Sequence, residues 1–206
     1  MTVKNKILNI SYKVLFAVLG LSSVVLEIAV LMDRGTFNPA NFFSFFTILS
    51  NIFASVMLLT AAWYKYMKKR SVAVDVLRGA STLYMVLTGV VFAVLLSSID
   101  PRLLTAVPWD NTVLHYIMPV ALLVDWLLDR PSKPVTFRTA IWWLLVPFAY
   151  VAYSLIRGSM VGWYPYPFLN PASGGYNAII VTCVGIATFT LAAAALLIKA
   201  QRLGAK

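Results

Sequence analysis

Apolar residues in this chain come in long unbroken stretches, not in the half-and-half alternation of a helix or strand that faces water on one side. Six stretches, at residues 13–32, 42–64, 78–99, 112–129, 139–157 and 177–198, come close to or exceed the roughly 20 residues that cross a hydrocarbon layer as a helix. The segments between them are too short to hold a separate folded unit. The pattern predicts a single all-α domain over residues 1–206, a polytopic integral membrane protein with six transmembrane helices in one bundle. The first stretch follows lysines, as a signal peptide would, but it is too long and lacks a small-x-small cleavage site. It is expected to stay as a helix.

Composition sharpens this picture. The chain is 61% hydrophobic and 12% charged, with a mean hydropathy of +0.83, far from the balance of a water-soluble domain. The net charge of +10 is unevenly spread. With the N-terminus inside, fourteen of the seventeen cations fall on internal segments and only Arg34, Arg102 and Arg157 lie outside. The positive-inside rule therefore places both termini in the cytoplasm, and a bacterial inner membrane is the expected location. The run KYMKKR, Lys65 to Arg70, is suited to anionic lipid head groups, and nucleic acid is not expected as a partner. The external loops are richer in aromatics and proline. Trp109, Trp163, Tyr164 and Tyr166 suit the head-group level, and the loop GSMVGWYPYPFLNPASGGY is expected to be irregular and to fold over the bundle mouth. The lone Cys183 has no intrachain disulfide partner.

An ionisable side chain inside a membrane span is a functional-site candidate by default. The spans hold Glu27, His115 and Asp125. A Schiff-base lysine is not expected there, because the lysines Lys13, Lys65 and Lys133 only flank the spans. Counting about 1.5 Å per residue from the outer ends puts Thr47 and Glu27 roughly 8 Å deep and His115 roughly 5 Å deep, in one layer; Asp125 lies about 15 Å below His115. In the second stretch Ser44, Thr47, Asn51 and Ser55 follow i, i+3, i+7, i+11 spacing, with Ser50 beside them and Phe42, Phe43, Phe45, Phe46 and Phe53 over the rest. Such a stripe either glues helices together or lines a protected pocket. The single histidine stands four residues before Pro119, whose ring frees a backbone carbonyl. An imidazole titrates near neutrality and suits general-base work. Glu27 either orients the histidine, binds a cation or sits protonated against Ser23. Asp125 is expected to pair with Arg78 or Arg130. Arg157 either binds a substrate carboxylate or reaches a lipid phosphate.

No HExxH or CxxC pattern supports a metal, no glycine-rich phosphate loop is present, and the GxSxG elbow is missing, so no cofactor is expected. FFTILSN in the second stretch, LHYIMPVALLVDW in the fourth and WYPYPFLNP in the last outer loop resemble the bacterial branch of a predicted six-transmembrane family. That family is similar to the androgen-induced and androgen-dependent membrane hydrolases of animals. The resemblance implies that Thr47 is a nucleophile and His115 its base in the cleavage of fatty-acid esters of hydroxy fatty acids or similar lipids. Oxyanion or substrate contacts would then fall to Ser50, Asn51, Arg157, Tyr164 or Asn170. Two other classes stay open from the residues alone. One is a small proton-coupled transporter or lipid-handling protein relaying protons through His115, Glu27 and Asp125. The other is an assembly protein whose polar stripe only binds helices.

Overall fold

A computed structural model describes residues 3–99 and 105–201, with side chains from residue 5 onward. Arg102, Arg202, Lys206 and the side chain of Lys4, counted among the cations above, lie outside the described residues. Among the described residues all regular structure is helical. Six helices are long and apolar enough to cross a membrane: α1 (Asn5–Asp33, with its first turn beginning at Val3), α2 (Phe46–Tyr66), α3 (Val72–Leu96), α4 (Pro108–Leu128), α5 (Phe137–Val161) and α6 (Pro171–Ala200).

Most boundaries differ from the apolar runs, α1 and α4 starting at Asn5 and Pro108 instead of 13 and 112, and three of the shifted starts have a plain local reason. α2 begins at Phe46, not at 42, because Pro39–Phe42 forms a separate turn. Proline opens that turn, the Asn38 side chain caps the Asn41 N–H at 3.1 Å, and the chain leaves helical geometry before Phe46. α3 begins six residues before the expected 78. Ser71 caps it, and the charges of Asp75 and Arg78 inside its first turns neutralise one another at 3.2 Å. α6 begins at Pro171, before the expected 177, because Asn170 accepts from the Ala172 N–H at 3.0 Å. Gly175, at φ 73, bends the helix where a side chain would be strained.

α1 packs along α2, α2 along α3 and α3 along α4, while α6 closes against α3. α2, α3 and α4 form the inner layer, and α5 and α6 keep most of their surface exposed. At the end where α1 starts and α6 finishes, five charged side chains are buried together, with a sixth, Lys65, half-buried beside them. Lys13, fully buried, forms an ion pair with Asp125 and another with Asp129 at 3.0 Å. Arg78 reaches Asp125 at 2.7 Å, and Lys65 reaches Asp129 at 2.7 Å. Asp75 also accepts the N–H and hydroxyl of Ser132, both at 2.6 Å. Three cations meet three carboxylates, so the cluster carries no net charge while joining α1 to α4. Burial alone would raise the Asp129 carboxyl, but Lys13, Arg78 and Lys65 together bring it down to about 2. An apolar belt that includes Ala54, Leu58, Met85, Met118 and Leu122 separates this end from the aromatic one.

Candidate active site

The break before Phe46 sets the first element of the site. It leaves Thr47 as the second residue of α2, in the turn whose backbone N–H groups lack helical partners and where the helix dipole is positive. Phe45, preceding the helix, offers no side-chain cap. The Thr47 N–H instead donates to the hydroxyl of Tyr166, at 3.3 Å.

The second element is a widened turn in α4. Residues Val113–Ile117 adopt π-helical geometry directly ahead of Met118 and Pro119. A proline cannot donate to the carbonyl one turn back, and a wide turn absorbs the mismatch. α3 carries a matching π segment at Phe92–Leu96. The two helices approach closely at Gly89, where an added Cβ would fall 3.0 Å from Pro119 Cβ and 3.2 Å from the His115 carbonyl. Phe92 then stacks on the imidazole, with ring centroids 4.0 Å apart and planes 26° from parallel.

His115 is thereby held on three sides and buried. Its Nδ1 lies 3.1 Å from the Asn111 carbonyl and its Nε2 lies 3.1 Å from Thr47 Oγ1. A carbonyl only accepts, so Nδ1 carries the proton and Nε2 presents a lone pair to the Thr47 hydroxyl. With the threonine proton turned to Nε2, the Tyr166 hydroxyl is left to donate to Thr47 Oγ1, 3.3 Å away. Burial raises the Tyr166 phenol above its ordinary range in spite of its hydrogen bonds with Thr47, which keeps it a proton donor at neutral pH. An apolar cavity of about 100 Å³ opens beside these three groups, walled by α3, α5 and α6.

The structure brings together Thr47 and His115, and it sends the other sequence-stripe and loop candidates elsewhere. Ser44 lies in the break, off the α2 face, where it donates to the Ala40 carbonyl at 2.6 Å and meets Tyr153 at 2.8 Å. Ser50 points to Thr88 at 2.9 Å and to the Thr47 carbonyl at 3.2 Å. Asn51 uses its amide N–H groups on the carbonyls of Thr47 and Leu114, at 2.8 and 3.1 Å, so it has no donor left for an oxyanion. Tyr164 packs its ring onto Gly158, where any Cβ would collide with it. Asn170 caps α6. Arg157 binds Asn41 at 2.7 Å and stacks over Trp163, away from the cavity wall. Glu27 does not orient the histidine. Its carboxylate accepts the backbone N–H groups of Ala106 and Val107, at 2.5 and 3.2 Å, at the entrance to α4. Asp125 pairs with Arg78, one of its two expected partners, and with Lys13. Lys13, a flanking cation by sequence, is wholly buried.

Two residues escaped the sequence reading. Tyr166 shares its loop with Tyr164 and carries no compositional mark that separates the two. Asp110 is fully buried at the start of α4 although it follows Trp109 in what reads as a loop. Among the described residues no group of three or more His, Cys, Asp or Glu converges as a metal site. No protein-family model, curated protein or solved structure matches this chain.

Proposed function

We propose that the protein is an intramembrane hydrolase of lipid esters, with Thr47 as nucleophile and His115 as general base. The observation that carries this reading is the 3.1 Å contact between Thr47 Oγ1 and the unprotonated Nε2, beside an apolar cavity. A threonine hydroxyl is a weak nucleophile until a base removes its proton, and hydrogen-bond distance to an imidazole with a fixed tautomer meets that need. The same assignment is what the resemblance to the androgen-induced hydrolases implies.

In this mechanism Nε2 takes the Oγ1 proton while Oγ1 attacks the ester carbonyl carbon. The resulting oxyanion sits near the Tyr166 hydroxyl and the positive end of α2. Collapse breaks the ester C–O bond, and the alcohol leaves with the proton from Nε2. Water then attacks the acyl-threonine, giving its proton to Nε2, and release of the acid returns that proton to Oγ1. The cation distribution supports an arrangement with both termini in the cytoplasm, the basic segments against anionic lipid and the Thr47–His115 pair in the outer half of the bilayer.

The test uses purified protein in lipid nanodiscs, p-nitrophenyl butyrate and a fluorophosphonate probe with peptide mapping. Turnover is expected, with label on Thr47. In Thr47→Ala both should vanish, and turnover should fall by at least about a thousandfold. Labelling or turnover retained in Thr47→Ala would falsify the assignment.

A proton relay from His115 to Asp125 finds less support. The apolar belt lies between them, and Asp125 is committed to Lys13 and Arg78.

A further inference from the structure

We propose that the cavity beside Thr47 is a slot for the hydrocarbon tail of a short, uncharged acyl ester, its length set by α5 and α6. This rests on the hydrolase reading of Thr47 and His115 and names its substrate class.

The lining of the cavity suits hydrocarbon and little else. None of the residues lining the cavity is charged. Away from Thr47, His115 and Tyr166, its polar side chains are already satisfied by backbone. Thr88 donates to the Tyr84 carbonyl at 2.9 Å, Thr190 to the Ile186 carbonyl at 2.6 Å and Tyr150 to the Ser44 carbonyl at 2.8 Å. A peptide, a sugar or a free carboxylate placed there would leave polar groups unmatched, at about 1–3 kcal/mol for each neutral group and more for a charged one. A hydrocarbon tail loses nothing. The wall therefore selects an acyl chain without a second polar function near the carbonyl.

The size of the cavity limits the tail it can hold. A cavity of about 100 Å³ is smaller than the roughly 150 Å³ that accepts benzene, so it seats a tail of about four carbons. Leu144 on α5 and Thr190 on α6 line its reach farthest from the aromatic end. They stand seven residues, or roughly 10 Å, beyond Val151 and Cys183 along their helices. Ala187, between Cys183 and Thr190, leaves room that a larger side chain would fill. Longer tails need α5 and α6 to part.

Two measurements test the slot. Across p-nitrophenyl acetate, butyrate, octanoate and palmitate, kcat/KM should peak at butyrate and fall at least about tenfold by palmitate. Ala187→Phe should move the peak to acetate, and Leu144→Ala should move it toward octanoate. A flat or palmitate-preferring profile, or an unchanged profile in Ala187→Phe, overturns the proposal. The second measurement needs no turnover. Cys183 is the sole cysteine and lines the slot, so in Thr47→Ala methyl butyrate should slow its maleimide labelling. Unslowed labelling overturns the slot even where Thr47 proves essential to turnover. Slowed labelling with no turnover by wild type would retain the slot as a binding site and remove the hydrolase.

Discussion

Both ends of this bundle bury polar groups, and they do so in opposite ways. At the end carrying Lys13, Asp125, Arg78, Asp129, Lys65 and Asp75, each charge faces an opposite one, and the hollow beside Lys65, Asp75, Arg78 and Asp129 holds only about 30 Å³. At the aromatic end three neutral groups, Thr47, His115 and Tyr166, share a few longer contacts next to an open space. The first arrangement is saturated: a ligand would have to displace an ion pair to gain anything. The second has proton-transfer geometry and a vacant neighbour. Abundance of buried charge is thus a poor guide to chemistry here, and incomplete coordination beside a cavity is the better one.

The sharpest way to break this contrast is to remove one group from each end. At the aromatic end His115→Ala should lower turnover about as far as Thr47→Ala, with the double variant little worse, because groups acting as a unit are not additive. Thermal unfolding should shift less than it does at the charged end, by what the vacated imidazole site costs. At the charged end Asp125→Asn leaves Lys13 and Arg78 short of a carboxylate. It should cost about 3–5 kcal/mol in stability, read as denaturation in detergent, while the folded fraction keeps its kcat/KM. A loss of activity in Asp125→Asn without loss of stability would join the two ends and favour a relay.

A smaller effect separates the loop tyrosine from its neighbours. Tyr166→Phe keeps the ring against Phe168 and Phe45 and deletes only the hydroxyl. It should lower kcat by about a hundredfold with KM little changed, whereas Tyr164→Phe should leave both alone. The smallest effect is a pH dependence at the charged end. The Asp129 carboxyl, at about 2 against an ordinary 3.8, is depressed by folding. Its stabilisation is therefore complete above pH 4, erodes below that and is gone once pH passes 2. Asp129→Asn should be less stable at neutral pH and should show a shallower decline in melting temperature between pH 4 and 2.

Much of this could be read from residues alone. Six apolar runs announce six long helices, because hydrocarbon admits few other spanning forms. Thr47 and His115 fall at similar depth by counting residues from the same end. What the pattern concealed was local. Ser44 obeys helical spacing with Thr47 but lies beyond the start of α2, since Pro39 and Asn38 begin a separate turn. Lys13 and Asp75 look like flanking charges, because hydropathy cannot tell a lysine bound for water from one that will meet Asp125. Tyr166 was hidden for another reason: only a loop folded back on the bundle decides that Tyr166, and not Tyr164, meets Thr47.

The π turn at Val113–Ile117 has a consequence for how the imidazole's aim is encoded. Such a turn holds one residue more than a regular helix needs, so the direction of His115 depends on how many residues the segment contains as well as on which they are. Removing one would close the wide turn into a regular helix and take the imidazole off the direction the widened turn gives it. Exchanging side chains there tunes the site, whereas changing the chain's length by one would unaim it at a stroke, with every chemical group still present.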